Sequence, residues 1–225
     1  MSDRFSRSLE ALSGESAAAE AALRALPDAA FDRPTRCTAW DVRGLTGHML
    51  RDVDRIVDYL AAPAPSEADA TAASYFTRYD PVADAPDVAK RSIDRAAGFA
   101  TTGELVEAFA ATWRRAIDLA RAEGPGRLVE VSWGPTMRLD DYLDTRVLEM
   151  AVHGLDLADA LGEPPWLTPE GGAIVRDILT TLLGGAPPAA WDDAELADKG
   201  TGRAPLTEQD RAALGEAAGR FPLLA

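Results

Sequence analysis

The chain has 225 residues, 47% hydrophobic and 27% charged, which suits one large domain, or a domain with a small appendage, around a substantial core. With 37 acidic against 23 basic residues the net charge is −14, which argues against nucleic acid or an anionic membrane surface as partner, since both are polyanions. No stretch approaches the roughly 20 apolar residues of a bilayer span, the start Met1-Ser-Asp-Arg-Phe-Ser-Arg lacks the apolar run of a secretory signal, and the single cysteine, Cys37, excludes an internal disulfide. A cytoplasmic location is therefore expected.

Apolar positions Phe5, Leu9, Leu12, Ala19, Leu23 and Leu26, with the small Ser16 filling a gap, alternate spacings of three and four and predict a first amphipathic helix over about 4–26, ended by Pro27. A second helix is expected to start at Thr38 as N-cap, with Asp41 as an acidic N3 residue, and to run to about Leu60. Residues 61–86, rich in Ala, Pro and Asp around an aromatic island from Tyr75 to Tyr79, read as a long loop folding over the bundle. A third helical stretch covers about 87–123, interrupted between Gly98 and Gly103, where Thr101 and Glu104 form a capping box. The alternation in Leu128-Val-Glu-Val-Ser-Trp133, after Gly124-Pro-Gly126 and before Gly134-Pro135, predicts a short strand or hairpin. A fourth long helix spans about 139–161 and stops before Gly162. Beyond Pro164-Pro165, a helix capped by Thr168 with Pro169 in its first position runs to about Leu183, and a last one, capped by Thr207, covers about 207–219. The expected fold is mainly α: a four-helix bundle over 1–163 with a short helical appendage over 164–225.

Only two histidines occur in the chain. His153 lies four residues after Glu149 in the run from Asp144 to Asp156, so the two project from one face of the fourth helix, close enough to share a divalent metal. His48 is the candidate third ligand. Two histidines and a carboxylate with a coordination position left open suit catalytic zinc, although nickel and iron accept the same ligands.

On a helical wheel Glu149, His153 and Asp156 form a polar stripe about 80–140° from the apolar line of Leu143, Val147, Met150, Gly154 and Leu161. Asp52, one turn beyond His48, borders the apolar line of Leu45, Met49, Val53 and Ile56. A carboxylate there is either a substrate or supporting group near a metal, or an edge residue paired to an arginine such as Arg55 or Arg146. Taken alone, His48 reads as a core histidine and Glu149 as a solvated helix acid; together with His153 they read as a site. Cys37, a lone cysteine ahead of a helix, reads as inert.

The run Cys37-Thr-Ala-Trp-Asp-Val-Arg-Gly-Leu-Thr-Gly-His48 resembles the signature that opens the second helix of mycothiol-dependent maleylpyruvate isomerase-like proteins, a family of the DinB-like superfamily. Arg146-Val-Leu-Glu-Met-Ala-Val-His-Gly-Leu-Asp156 resembles their second signature, and Trp133-Gly134 just upstream also fits. The resemblance covers about residues 5–161. It implies a DinB-like four-helix bundle, a metal, zinc or another divalent ion, on His48, Glu149 and His153, and mycothiol as thiol cofactor or co-substrate. The remainder is shorter than the C-terminal domain of the isomerase itself, and Arg203 in Gly200-Thr-Gly-Arg-Ala-Pro-Leu206 resembles an arginine-containing stretch of it.

These readings together predict a thiol S-transferase or a thiol-dependent cis–trans isomerase acting on an electrophilic small molecule, with no nucleic acid or membrane partner, as a monomer or homodimer. Asp52, Arg146 and Asp156 are candidate catalytic groups. Trp133, Tyr142 and Arg203 are candidate cofactor-binding groups. A zinc hydrolase using metal-bound water, with Asp52 or Asp156 as base, and a non-catalytic metal- or ligand-binding stress-response module are the alternatives.

Overall fold

A computed structural model describes residues 3–78 and 81–224; Tyr79 of the aromatic island lies outside the described residues. The fold is mainly α. Four long helices, α1 (Asp3–Arg24), α2 (Val42–Ala61), α5 (Thr102–Glu123) and α6 (Leu139–Leu161), form the bundle, with α1 and α2 each packed against both α5 and α6. The crossover between α2 and α5 carries the short α3 (Ala72–Phe76) and α4 (Pro81–Ala97), and α4 lies along α2. Phe5, Leu12, Leu45, Met49, Phe109 and Leu143 meet in the centre with essentially no exposed surface. This is the DinB-like helical architecture.

Local chemistry sets the helix ends. Thr101 and Glu104 close a capping box at the start of α5, the Thr101 hydroxyl accepting from Glu104 N at 3.1 Å and the Glu104 carboxylate accepting from Thr101 N at 3.3 Å. Gly162 ends α6 in the left-handed region, with φ +70°. The second helix starts later than the sequence suggests: Asp41, not Thr38, is its N-cap, accepting from Gly44 N at 2.7 Å. The reason lies in the preceding loop. Val42 N bonds Arg33 O at 2.9 Å and the Thr35 hydroxyl bonds Trp40 O at 2.8 Å, which keeps the chain non-helical through Asp41.

The expected long loop is helical in two places. α4 begins at Pro81 rather than near 87, carrying Pro86 inside it. The strand is also shorter: β1 (Leu128–Glu130) pairs antiparallel with β2 (Thr136–Arg138), leaving Trp133 in the connecting turn with φ +66°.

After α6, α7 (Pro169–Leu183) packs on α1 and α6, and α8 (Asp193–Gly200), which the sequence reading did not foresee, packs mainly on α7. α9 (Glu208–Leu214) is capped by Thr207 but stops at Gly215, with a 3-10 turn following through Arg220. Because the bundle lies on one side of α6 and α7 on another, α6 is buried almost all round, and its acids sit inside the protein. Those acids find partners: Arg4 bonds Asp141 and Asp144 at 2.8 Å each, and the Ser8 hydroxyl donates to Asp144 at 2.6 Å. No helix among the described residues is long and apolar enough to cross a membrane.

Candidate metal centre

α2 and α6 pack side by side, which brings His48 from one to Glu149 and His153 from the other. The imidazole centroids are 4.6 Å apart. His48 Nε2 lies 3.5 Å and His153 Nε2 3.4 Å from the same carboxylate oxygen, Glu149 Oε2. The outer nitrogens are held from behind. Ser92 on α4 donates its hydroxyl to Val88 O at 2.8 Å, so it accepts from His48 Nδ1–H at 3.2 Å; Asp156 accepts from His153 Nδ1–H at 3.0 Å. This tautomer assignment turns both Nε2 lone pairs toward Glu149.

Two lone pairs and a carboxylate oxygen aimed at one point repel each other unless a positive charge lies among them. His48 Nε2 and Asp52 Oδ2, 3.5 Å apart, are also buried without a hydrogen-bond partner. The donor set, two imidazoles and one carboxylate with ligand atoms within 4.8 Å of one another, fits a divalent ion. Charge balance agrees. Burial opposes ionisation of Glu149, yet the two imidazoles beside it and the Arg146 guanidinium hold it well below the usual carboxylate range. Burial likewise opposes a proton on His153, but Asp156, Cys37 and Glu149 push its pKa well above the ordinary histidine value. These surroundings attract positive charge.

Cys37, His153 and Asp156 form a second cluster of metal-ligand types. It fits a cation poorly. Asp156 accepts from Arg203 at 3.1 and 2.9 Å, from Arg36 at 3.2 Å and from the Cys37 thiol at 3.0 Å, leaving little room for a metal. Burial raises the Asp156 pKa while His153 and Arg203 lower it, and the net result lies far below that of an ordinary carboxylate.

The sequence profile described as the mycothiol maleylpyruvate isomerase N-terminal domain matches residues 12–158. The chain belongs to that family. No curated protein and no solved structure matches it. The family name associates the chain with mycothiol-related enzymes, and the matched segment contains His48, Glu149 and His153, while Arg203 lies beyond it.

In this family member the three residues face a cavity of about 430 Å³. Trp40 roofs it, its indole stacked 4.5 Å from the His48 ring. Of the other residues singled out from sequence, Asp52, Arg146, Trp133 and Arg203 line this cavity. Asp52 Oδ1 accepts from Arg146 Nη1 at 2.7 Å, so it is both near the centre and paired. Trp133, 40% exposed, stands at the rim, and Tyr75 lies 5.7 Å from it, ring to ring. Tyr142 and Asp156 are not among the lining residues: Tyr142 is 1% exposed and sits under the Arg146 guanidinium at 5.2 Å, while Asp156 supports His153.

Sequence reasoning missed Ser92 and Arg51 as site residues, named Arg55 only as a possible partner of Asp52, and held Trp40 only within the first signature. For the two arginines a signal existed, because they lie three and seven residues after His48 and so share its helix face. Ser92 comes from the crossover and carried none.

Proposed function

We propose that the protein is a metal-dependent thiol enzyme that uses mycothiol against an electrophilic small molecule, as an S-transferase or a cis–trans isomerase. The observation that carries this reading is the convergence of the chain's only two histidines on Glu149 Oε2 at a cavity of about 430 Å³. His48, Glu149 and His153 would hold the metal. A divalent ion there, zinc by its ligand preference, supplies the Lewis acidity that lowers the pKa of a thiol from about 8.5 into the working range.

The chain's own residues do the rest. Ser92 and Asp156 fix the imidazoles in the tautomer that leaves both Nε2 atoms free. Trp40 covers His48 and shields it from water. Arg146, neutralised by Asp52, forms part of the wall on which the electrophile is oriented. The thiol, having lost its proton, adds through sulfur to one carbon of an activated C=C bond, whose π pair moves onto the conjugated carbonyl. If the adduct rotates about the new single bond and the returning pair expels the thiolate, the outcome is isomerisation; if the proton is instead delivered to the other carbon, the adduct persists and the outcome is transfer. On this reading 1–163 is the metal-bearing bundle, and 164–225 is an appendage that contributes Arg203 to the pocket wall.

A hydrolase requires a free carboxylate base. Asp156 is held by Arg203 and Arg36 and does not line the cavity, and Asp52 has only its Oδ2 free, its Oδ1 being bound by Arg146, which disfavours that reading.

Elemental analysis of the purified protein and of His153→Ala, with calorimetric titration of mycothiol into both, tests the proposal. The parent is expected to hold about one metal per chain, as one three-ligand site requires, and to bind mycothiol, with both properties lost in the variant. A metal-free parent that refuses zinc overturns it.

A further inference from the structure

Four arginines line the cavity, and they divide into two kinds. Arg146 and Arg203 are matched to carboxylates, Asp52 at 2.7 Å and Asp156 at 2.9 Å. Arg51 and Arg55 are not. Arg55 donates to the Ser132 hydroxyl at 2.7 Å, within a network with the Tyr59 hydroxyl that positions the guanidinium without neutralising it. Arg51 is half-buried and makes no hydrogen bond or ion pair among the described residues. Burial, then its neighbours Arg55 and Arg91, work against its charge, and Asp52 and Asp54 offset this only in part. In a chain with 37 acidic residues against 23 basic ones, two guanidiniums on one cavity wall with no carboxylate in ion-pair contact among the described residues are not explained by stability. An arginine fork matches the geometry of a carboxylate or phosphate, and holding such a pair ready is what an anion site requires.

We infer that Arg51 and Arg55 form an anion subsite of the cavity that binds an oxyanion group, carboxylate or phosphate, carried by the electrophilic substrate. α2 sets the distance. At about 1.5 Å per residue the two arginines lie about 5 and 10 Å along the helix from His48, so a small organic acid reaches both the subsite and the His48–Glu149–His153 centre. This deepens the proposed function by giving its electrophile a charge, but the subsite itself rests only on the arginines.

The test is calorimetric titration of succinate, phosphate and the neutral diamide succinamide into the parent, Arg51→Gln, Arg55→Gln and Arg91→Gln, each as purified and after chelation. The exposed Arg91 lies outside the cavity lining and serves as the control. Succinate or phosphate is expected to bind the parent with or without metal, and succinamide is not. Arg51→Gln and Arg55→Gln weaken that binding at least tenfold, Arg91→Gln changes it less than twofold, and mycothiol affinity stays at the parental value in all three. The melting temperature of Arg51→Gln is equal to or above the parent's, which shows that the variant is folded and that the arginine is not structural. The inference is overturned if succinamide binds as well as succinate, if chelation abolishes anion binding that both glutamine variants retain, or if the variants weaken mycothiol and spare the anions. Because the anion titration on chelated protein needs neither metal nor thiol, its failure is separate from failure of the proposed function.

Discussion

Gly47 decides how closely the crossover helix can approach the centre, and Gly47→Ala measures what that closeness supplies. A Cβ at this position would lie 2.4 Å from the Ser92 carbonyl oxygen and 2.9 Å from the Ala96 Cβ. Ordinary carbon–oxygen contact starts near 3.3 Å, so α4 must back away from α2 by about 1 Å. Overpacking of this kind costs about 1–3 kcal/mol. The same shift stretches the Ser92–His48 hydrogen bond from 3.2 Å to about 4 Å, beyond hydrogen-bond range. Losing the group that orients a metal-bound histidine lowers metal affinity by about 10–100-fold. Urea unfolding followed by tryptophan fluorescence reads the first effect, and zinc competition against a chromophoric chelator reads the second. Ser92→Ala is the companion variant, since it removes the hydrogen bond and keeps the helix spacing. It should reproduce most of the affinity loss with less of the stability loss. If Gly47→Ala costs less than about 0.5 kcal/mol, the contact is softer than argued. If both variants keep parental zinc affinity, His48 does not depend on α4.

Two further predictions concern buried charge. Asp52→Ala strands the 2% exposed Arg146 guanidinium and should cost about 3–5 kcal/mol in urea unfolding, whereas Asp52→Ala with Arg146→Met should recover most of it; a double variant no more stable than the single would show that the pair is not coupled. Glu15 is 1% exposed; burial raises its pKa above the ordinary glutamate value, and hydrogen bonds from Thr168 only partly offset this. Its folded pKa therefore exceeds its unfolded one, so the associated stability is fully present below the unfolded value, near 4.3, and is lost as pH rises through the folded value. Glu15→Gln keeps an oxygen for Thr168 and removes this dependence, so in urea titrations its stability relative to the parent should grow with pH from about 4 upward. A difference that is flat with pH would contradict the assignment.

What could be read from the sequence was whatever local rules write locally. The Thr101–Glu104 box, the Gly162 stop and the Thr168-Pro169 start each lie within a few residues of the boundary they set, and each stands where expected. The i, i+4 spacing of Glu149 and His153 likewise placed them on one face, and the meeting with His48 needed only that α2 and α6 be neighbours. What could not be read depends on the far ends of contacts. Asp41 rather than Thr38 caps α2 because the loop closes onto Arg33, and α8 forms around Leu196 and Ala197 only because neighbouring helices cover them. The wheel for α6 expected polar residues at the edge of a core face. It could not anticipate a helix buried almost all round, with Arg4, Ser8, Arg36 and Arg203 brought in to satisfy its acids.

That burial explains how an acidic chain can support a centre that attracts cations alongside a wall that attracts anions. Near His153 the negative charge of Asp156 is held by Arg36 and Arg203, from segments 120 and 47 residues away in sequence, so it can accept from His153 Nδ1–H without adding free charge to the cavity. Across the cavity Asp52 is matched by Arg146 in the same way. With those two pairs closed, the charges left facing the space are Glu149, flanked by the two histidines, and the guanidiniums of Arg51 and Arg55. Fields inside a low-dielectric cavity are screened far less than on the surface, so the net surface charge of the chain does not set the polarity of its site. The local arrangement does: a cation is favoured at Glu149 and an anion farther along α2, which are the two ends a charged electrophile and its activating centre would need.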